Sequence, residues 1–304
     1  MNQFVECVPN FSEGRRTTTV ERLVETIESV DSAFVLGTHV DQDHNRSVIT
    51  FAASLDNVVE AALRAVTLAT ELIDLRRHSG EHPRIGATDV LPFVPVSGIT
   101  MDQCVALAHE AGAQIAHSLG IPVYFYERAA LCPERSHLEN VRQRGFEELK
   151  GQIGIEPLRT PDVGPLQLHE TAGAIAIGAR PFLIAFNVNL RTNDLSIARA
   201  IARSVRARDG GLPFVKALGF ELKSRGLVQV SMNLLDYQET GLAEVFAAIQ
   251  KQTASFGVEI EGAEIVGLIP EAALDRKASY FPMLENFTEE LVLENCLRAR
   301  TTEW

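Results

Sequence analysis

The feature that most constrains this chain is a hydrophobic pattern that runs along it twice. In the first half, residues 3–8 read as a strand and 10–14 as a loop. Val20, Leu23, Val24 and Ile27 then recur at helical spacing, with Thr18 and Glu21 in capping-box positions. Two strand-like stretches, 33–40 and 47–53, flank the polar turn DQDHN. A helix with Leu63, Val66 and Ile73 on one face leads to a strand at 90–96, and Thr100 with Gln103 caps a further helix before the strand IPVYFY at 121–126. From residue 182 the order returns. A strand at 182–190 precedes a helix marked by Ile197, Ile201 and Val205, which Gly210 and Gly211 are expected to stop. A hairpin over 214–222 and 227–235, a helix around 242–249 and a strand at 258–268 complete it. In the second hairpin strand Val228, Val230, Met232 and Leu234 alternate with Gln229, Ser231 and Asn233, so one face should be buried and the other polar.

The order β-α-β-β-α-β, taken twice, is that of ferredoxin-like folds. It predicts an α/β chain, an α+β sandwich in class, with two ferredoxin-like subdomains and a ligand groove between them. The stretch TPDVGPLQLHETAG, 160–173, reads as the connector, and the division is expected between 1–172 and 173–304.

Composition narrows the function classes. A net charge of -12 argues against nucleic acid, whose binding requires clusters of phosphate-neutralising Lys and Arg. It leaves room for a small anionic substrate, which needs only a few cations at one pocket. No apolar run approaches the about eighteen residues that cross a bilayer, and the N-terminus lacks a secretory pattern. Cys7, Cys104, Cys132 and Cys296 have no CxxC spacing, so the expectation is a cytoplasmic protein without a disulfide framework.

Three polar clusters stand on expected loops: 10–15, 41–46 and 78–84. Pro9, Gly14, Gly80, Pro83 and Gly86 serve as turn formers on the simplest reading, but turns do not need the His, Arg and carboxylate side chains that accompany them. A metal reading draws on His39, Asp41, Asp43, His44, His78 and His82. It is weakened by Gly80 and Pro83, which break the helix that spacing of four between His78 and His82 would need. No metal is therefore expected. The other reading is acid–base work by a histidine beside cationic anchors, since imidazole titrates near neutrality and an Arg fork matches a carboxylate. GxSxG, GxxxxGK[ST] and GxGxxG motifs are all missing from the sequence.

Several long stretches resemble one family. ECVPNFSEGR (6–15), DHNRSVITF (43–51), HSGEHPRIGATDVLPFVPV (78–96), GARPFLIAFNVNL (178–190), QVSMNLLDY (229–237) and VGLIPEAAL (266–274) are similar to the glutamate formimidoyltransferases, or formiminotransferases. The resemblance spans nearly the whole chain. It implies transfer of a formimidoyl group from N-formimidoyl-L-glutamate to N5 of tetrahydrofolate in histidine breakdown, with folate as co-substrate and no metal. Within the EHPR motif it implies a catalytic role for His82, with Arg84 as a carboxylate anchor. Asn10, Arg46 and Asp41 fall in matching motifs as pocket residues. The family's folate-contacting connector maps to Gly164, Pro165, Leu166, Gln167, Leu168, His169, Glu170, Thr171, Ala172 and Gly173. A homodimer and a separate cyclodeaminase for the next step are further implications, because the animal relatives fuse a cyclodeaminase that this sequence lacks. The sequence departs from the family at His39, where animal members carry an acidic residue, and near Glu170, where bacterial members show a proline. A donor other than N-formimidoyl-L-glutamate, such as a formyl amino acid or formimidoylglycine, or a folate binder without turnover, stays open on the sequence.

Overall fold

In the computed structural model, residues 3–42, 44–79, 84–143, 145–223 and 225–300 are described. The chain forms two compact units, 1–180 and 181–303. The expected boundary at 172/173 thus falls eight residues early. The reason is a strand at Ile175–Ala179, whose ladder hydrogen bonds all belong to the first sheet.

The first unit opens with β1 (Phe4–Cys7) and β2 (Asn10–Phe11). These are one strand path interrupted at Val8–Pro9, where the proline has no N–H to give the ladder. There follow α1 (Thr17–Glu28), β3 (Ala33–Asp41), β4 (Arg46–Ser54), α2 (Val58–Leu72) and β5 (Thr88–Ser97). β1 lies between β4 and β5 and β3 pairs β4, all antiparallel. Across the sheet that is the order fourth, first, third, second of a ferredoxin-like unit. The unit then goes beyond the expected pattern. After α3 (Met101–Leu119) and β6 (Val123–Glu127) come two short helices, α4 (Leu138–Arg142) and α5 (Gly145–Gln152), and then β7 (Ile175–Ala179). β7 runs parallel to both β5 and β6 and is inserted between them.

Side-chain alternation puts the two faces of this sheet to different uses. Phe51, Phe93, Val123, Phe125 and Ile177 face the core under the long helices, with Leu23 and Ile27 of α1, Val66 of α2 and Ile115 of α3. Each such side chain, fully buried, contributes about 1.5–3 kcal/mol. Val90, Tyr124, Tyr126 and Ala176 point the other way and pack with Val141, Phe146 and Leu149 of α4 and α5.

Two capping expectations had opposite outcomes. Thr100 and Gln103 form the predicted box at α3, the Gln103 N–H donating to Thr100 Oγ1 at 3.2 Å and the Thr100 N–H to Gln103 Oε1 at 2.9 Å. Thr18 does not cap α1, which already begins at Thr17. Glu13 does that work one turn earlier: its Oε1 accepts the N–H groups of Arg15 and Arg16, both at 2.9 Å.

The second unit matches the predicted order. Its elements are β8 (Ile184–Leu190), α6 (Leu195–Val205), β9 (Val215–Leu222), β10 (Leu227–Leu234), α7 (Leu242–Phe256) and β11 (Ile260–Val266), with α8 (Leu293–Arg300) after them. The sheet order is β11-β8-β10-β9, fully antiparallel. α6 ends at Val205, before the glycines, because Arg206 turns extended; a single tight turn at Ala207–Asp209 then closes on Gly210 in the left-handed region (φ 86°). The alternation in β10 holds with one refinement. Gln229 on the polar face is itself buried, its amide donating to Asn189 Oδ1 at 2.9 Å and Glu264 Oε1 at 3.0 Å.

Candidate active site

The three polar clusters meet. Gly14 N–H donates to Asn45 Oδ1 at 2.9 Å, Asn45 Nδ2 donates to the Ser79 carbonyl at 3.2 Å, and the Asn45 carbonyl accepts from His78 Nε2 at 2.9 Å. Arg15 reinforces the joint through the Gln42 carbonyl (3.1 Å) and Ser79 Oγ (3.3 Å). Two local features make this closeness workable. Asn45 holds a left-handed backbone (φ 48°), a conformation asparagine tolerates better than most residues. At Gly14 a Cβ would stand 2.2 Å from the Asp41 carbonyl oxygen and 2.5 Å from the Arg46 nitrogen, so only glycine fits.

The loops enclose a pocket lined by Phe11, Ser12, His44, Asn45, Arg46, His78, Arg84 and Asp89. β2 supplies Phe11, the turn after β3 supplies His44 and Asn45, and β4 begins with Arg46. Arg84 lies on the approach to β5, and Asp89 is on β5 itself. Of the residues expected from the sequence, Arg46 and Arg84 line the pocket, and Asn10 stands behind Arg46 as its acceptor. Asp41 is one residue back from the lining: its carboxylate accepts the His44 N–H at 2.9 Å and pairs with His44 Nδ1 at 2.7 Å. His39 lies on an exposed stretch of β3 and is not among the lining residues. His82, with Gly80, Glu81 and Pro83, lies outside the described residues, as does Asp43.

The connector divides in two. Gly164, Pro165, Leu166 and Gln167 are exposed, whereas Leu168, Ala172 and Gly173 are buried. His169 and Gly173 close a small turn by mutual backbone bonds of 3.0 Å, and His169 Nδ1 accepts the Ala172 N–H at 3.1 Å. This turn is stitched to the segment after Arg84: Ala87 N–H donates to the Ala172 carbonyl and Ala174 N–H to the Ile85 carbonyl, each at 2.9 Å. Thr171 accepts from Leu75 N–H at 2.9 Å, and Glu170 pairs with Arg76 at 2.5 Å.

The pocket is cationic, and its cations are braced. Arg84 donates to the His78 carbonyl at 3.1 Å and to the exposed carboxylate of Glu147 at 3.0 Å. Asp89 is buried, accepts the Ile85 N–H at 2.7 Å and pairs with Arg142 at 2.7 Å. Burial lowers the pKa of Arg46 and so does neighbouring Arg142, against the pull of Asp89 and Asp41. Burial likewise holds His78 below the usual histidine range; the Asn45 carbonyl opposes this and Arg84 adds to it. Arg46 Nε, Arg84 Nε and His78 Nδ1 are each buried without a hydrogen-bond partner. A group so stranded costs about 1–3 kcal/mol, which a bound ligand can relieve.

His78 as a lone acceptor and Asp89 as an anchor were not legible in the sequence. Arg142 and Glu147 come from the charged stretch at 135–150, where no motif stood out. Their only sequence signal was charge, and their partners lie more than fifty residues away. Among the described residues no group of three or more His, Cys, Asp or Glu is arranged to hold a metal ion, and no helix among them is long and apolar enough to cross a membrane.

Comparison with known proteins fits this arrangement. Glutamate formimidoyltransferase of Thermoplasma acidophilum is 47% identical over 292 residues, covering 95% of this chain and 96% of that one. Glutamate formimidoyltransferase of Streptococcus pyogenes serotype M1 is 41% identical, covering 98% of this chain and 99% of that one. The formimidoyltransferase-cyclodeaminase of Sus scrofa is 40% identical over 94% of this chain, which spans 54% of that longer protein. Residues 4–180 match the formiminotransferase domain, N-terminal subdomain, and residues 185–297 match the formiminotransferase domain. With both parts matched in order, the chain belongs to the formiminotransferase domain family.

Proposed function

We propose that this chain is a glutamate formimidoyltransferase. It moves the formimidoyl group of N-formimidoyl-L-glutamate to N5 of tetrahydrofolate, giving 5-formimidoyltetrahydrofolate and L-glutamate. The observation that carries this reading is the 47% identity, over 95% of the chain, to a relative of that name. The pocket chemistry supports it: two guanidinium groups suit the carboxylates of a glutamate derivative.

N5 of folate attacks the formimidoyl carbon and forms a new C–N bond; the bond to the glutamate nitrogen then breaks. N5 sheds one proton and the departing amine gains one, so a single imidazole between them serves both steps. His82 takes that role in our reading. Its support is the EHPR motif and the anchoring of its flanks, Ser79 through Asn45 and Arg84 through Glu147. Folate contact by 164–173 is part of the same proposal, supported by the bonds between 172–174 and 85–87. So are a homodimer, a cytoplasmic location and a separate cyclodeaminase acting on the product.

The test is turnover with tetrahydrofolate and N-formimidoyl-L-glutamate, followed by absorbance of the product. His82→Gln should lower kcat by about 10²–10⁴-fold with an unchanged melting temperature. No product from the wild type would overturn the reaction, and an active His82→Gln would overturn the role of His82.

A further inference from the structure

Four polar atoms of the residues that line the pocket are buried without a hydrogen-bond partner: Nε of Arg46, Nε of Arg84, Nδ1 of His78 and Oδ2 of Asp89, the last in an ion pair with Arg142 at 2.7 Å. The first two are N–H donors. The third is an acceptor, for a structural reason. His78 Nε2 lies 2.9 Å from the Asn45 carbonyl, which can only accept, so Nε2 carries the hydrogen and Nδ1 presents its lone pair. The other polar lining groups are committed elsewhere. Asp89 is held by Ile85 N–H and Arg142, and His44 by Asp41.

Two N–H donors and one acceptor, on residues that line one pocket, complement a particular fragment: a carboxylate whose neighbouring carbon bears an N–H. That is the α-carboxylate and α-nitrogen of an N-substituted amino acid. A simple dicarboxylate would satisfy the donors and leave His78 stranded. We infer that His78 Nδ1 accepts the N–H of the formimidoyl donor's α-nitrogen while Arg46 and Arg84 hold its α-carboxylate; this rests on the transfer reaction proposed above. His78 is then the specificity-determining contact to the leaving group. It neither gives nor takes the proton of the reaction. The electron pair of the breaking C–N bond stays on the α-nitrogen, and the proton shed by N5 is delivered there. His78 keeps the nitrogen's existing N–H turned toward itself, so that the lone pair faces the proton source.

The lowered pKa of His78 agrees with a neutral acceptor at pH 7. Charged groups around it are Glu13, Arg15 and Arg84, with His44, Arg46 and Asp89 elsewhere on the lining.

The test uses the full chain and two unreactive probes in calorimetry, N-acetyl-L-glutamate, which has the N–H, and glutarate, which lacks it. His78→Gln places an amide N–H where Nε2 was and removes the acceptor. It should weaken N-acetyl-L-glutamate about tenfold, roughly one hydrogen bond, and change glutarate by less than about twofold. In turnover the KM for the formimidoyl donor should rise while that for tetrahydrofolate holds. His78→Asn, with an oxygen near the Nδ1 position, should recover part of the loss. Equal weakening of both probes would make His78 merely structural, and no weakening of either would remove the contact; both overturn the inference. A wild type that shows the His78-dependent difference between probes but no turnover would sink the transfer reading and leave this contact standing. If His78→Gln does not fold, the ¹⁵N resonance of His78 Nδ1 in the wild type decides: it should shift with N-acetyl-L-glutamate and not with glutarate, and the absence of a selective shift would overturn the inference.

Discussion

Gly14 and Asn45, thirty-one residues apart, are joined by a 2.9 Å hydrogen bond from the glycine N–H to the asparagine Oδ1. Because Asn45 also donates to Ser79 and accepts from His78, this one residue ties together the three loops that make the pocket. Asn45→Gly keeps the left-handed backbone accessible but deletes both side-chain bonds. It should cost about 1–3 kcal/mol in denaturant unfolding and raise the donor KM. Full retention of stability would mean the loops are held by other contacts.

Gly14→Ala asks for space that backbone occupies, 2.2 Å from one carbonyl oxygen and 2.5 Å from the Arg46 nitrogen. The β3–β4 turn must move, at about 1–3 kcal/mol. Since the displaced strand end carries Arg46, carboxylate affinity should fall with stability. A variant that loses stability but keeps its affinity for N-acetyl-L-glutamate would break that link.

Burial by itself would raise the pKa of Glu13, but the Arg16 and Arg15 N–H groups and the Arg16 guanidinium outweigh it and hold the carboxyl below 4.5. A carboxylate with a depressed folded pKa stabilises fully above its unfolded value and loses that contribution as pH falls through the folded one. Glu13→Gln should therefore be less stable than wild type at pH 7, with the gap closing as the pH drops below about 4.5. A gap independent of pH would point to packing instead of charge.

Asp89 and Arg142 form a pair with side chains 4% and 12% exposed. Arg142→Met strands the carboxylate and should cost about 3–5 kcal/mol; the double variant Asp89→Asn/Arg142→Met should cost less than that single change. Thermal unfolding of the four proteins completes the cycle. Additive losses would show that the two side chains act independently.

What the sequence discloses depends on how local its cause is. Thr100 and Gln103 are a three-residue motif and form the cap they predict. Val228, Val230 and Met232 alternate because a pleated strand alternates, and the doubled strand order follows from such runs. Thr18 and Glu21 satisfy the same rule as Thr100 and Gln103 and still fail, since Glu13 meets the helix first. Non-local pairings are silent. Nothing around Arg142 announces Asp89, and nothing around Glu147 announces Arg84. The site was legible as three polar clusters, but their convergence runs through the backbone conformation of Asn45. The connector was legible as turn-rich sequence, but its attachment to 85–87 was not.

The insertion of β7 between β5 and β6 has a consequence for how the protein is made. Among the described residues β6 shares a ladder with β7 alone, apart from one bridge between Val123 and Val163, and β7 is the last strand of its unit in the sequence. On the ribosome, the ferredoxin-like part of the first unit emerges with an open edge at β5, and β6 waits for its ladder partner until residue 179 is free. The same strand draws in residues 172–174, whose carbonyl and N–H groups fasten the segment after Arg84. The segment 85–87, which lies between the pocket residues Arg84 and Asp89, thus gains these bonds only when the last strand of the unit arrives.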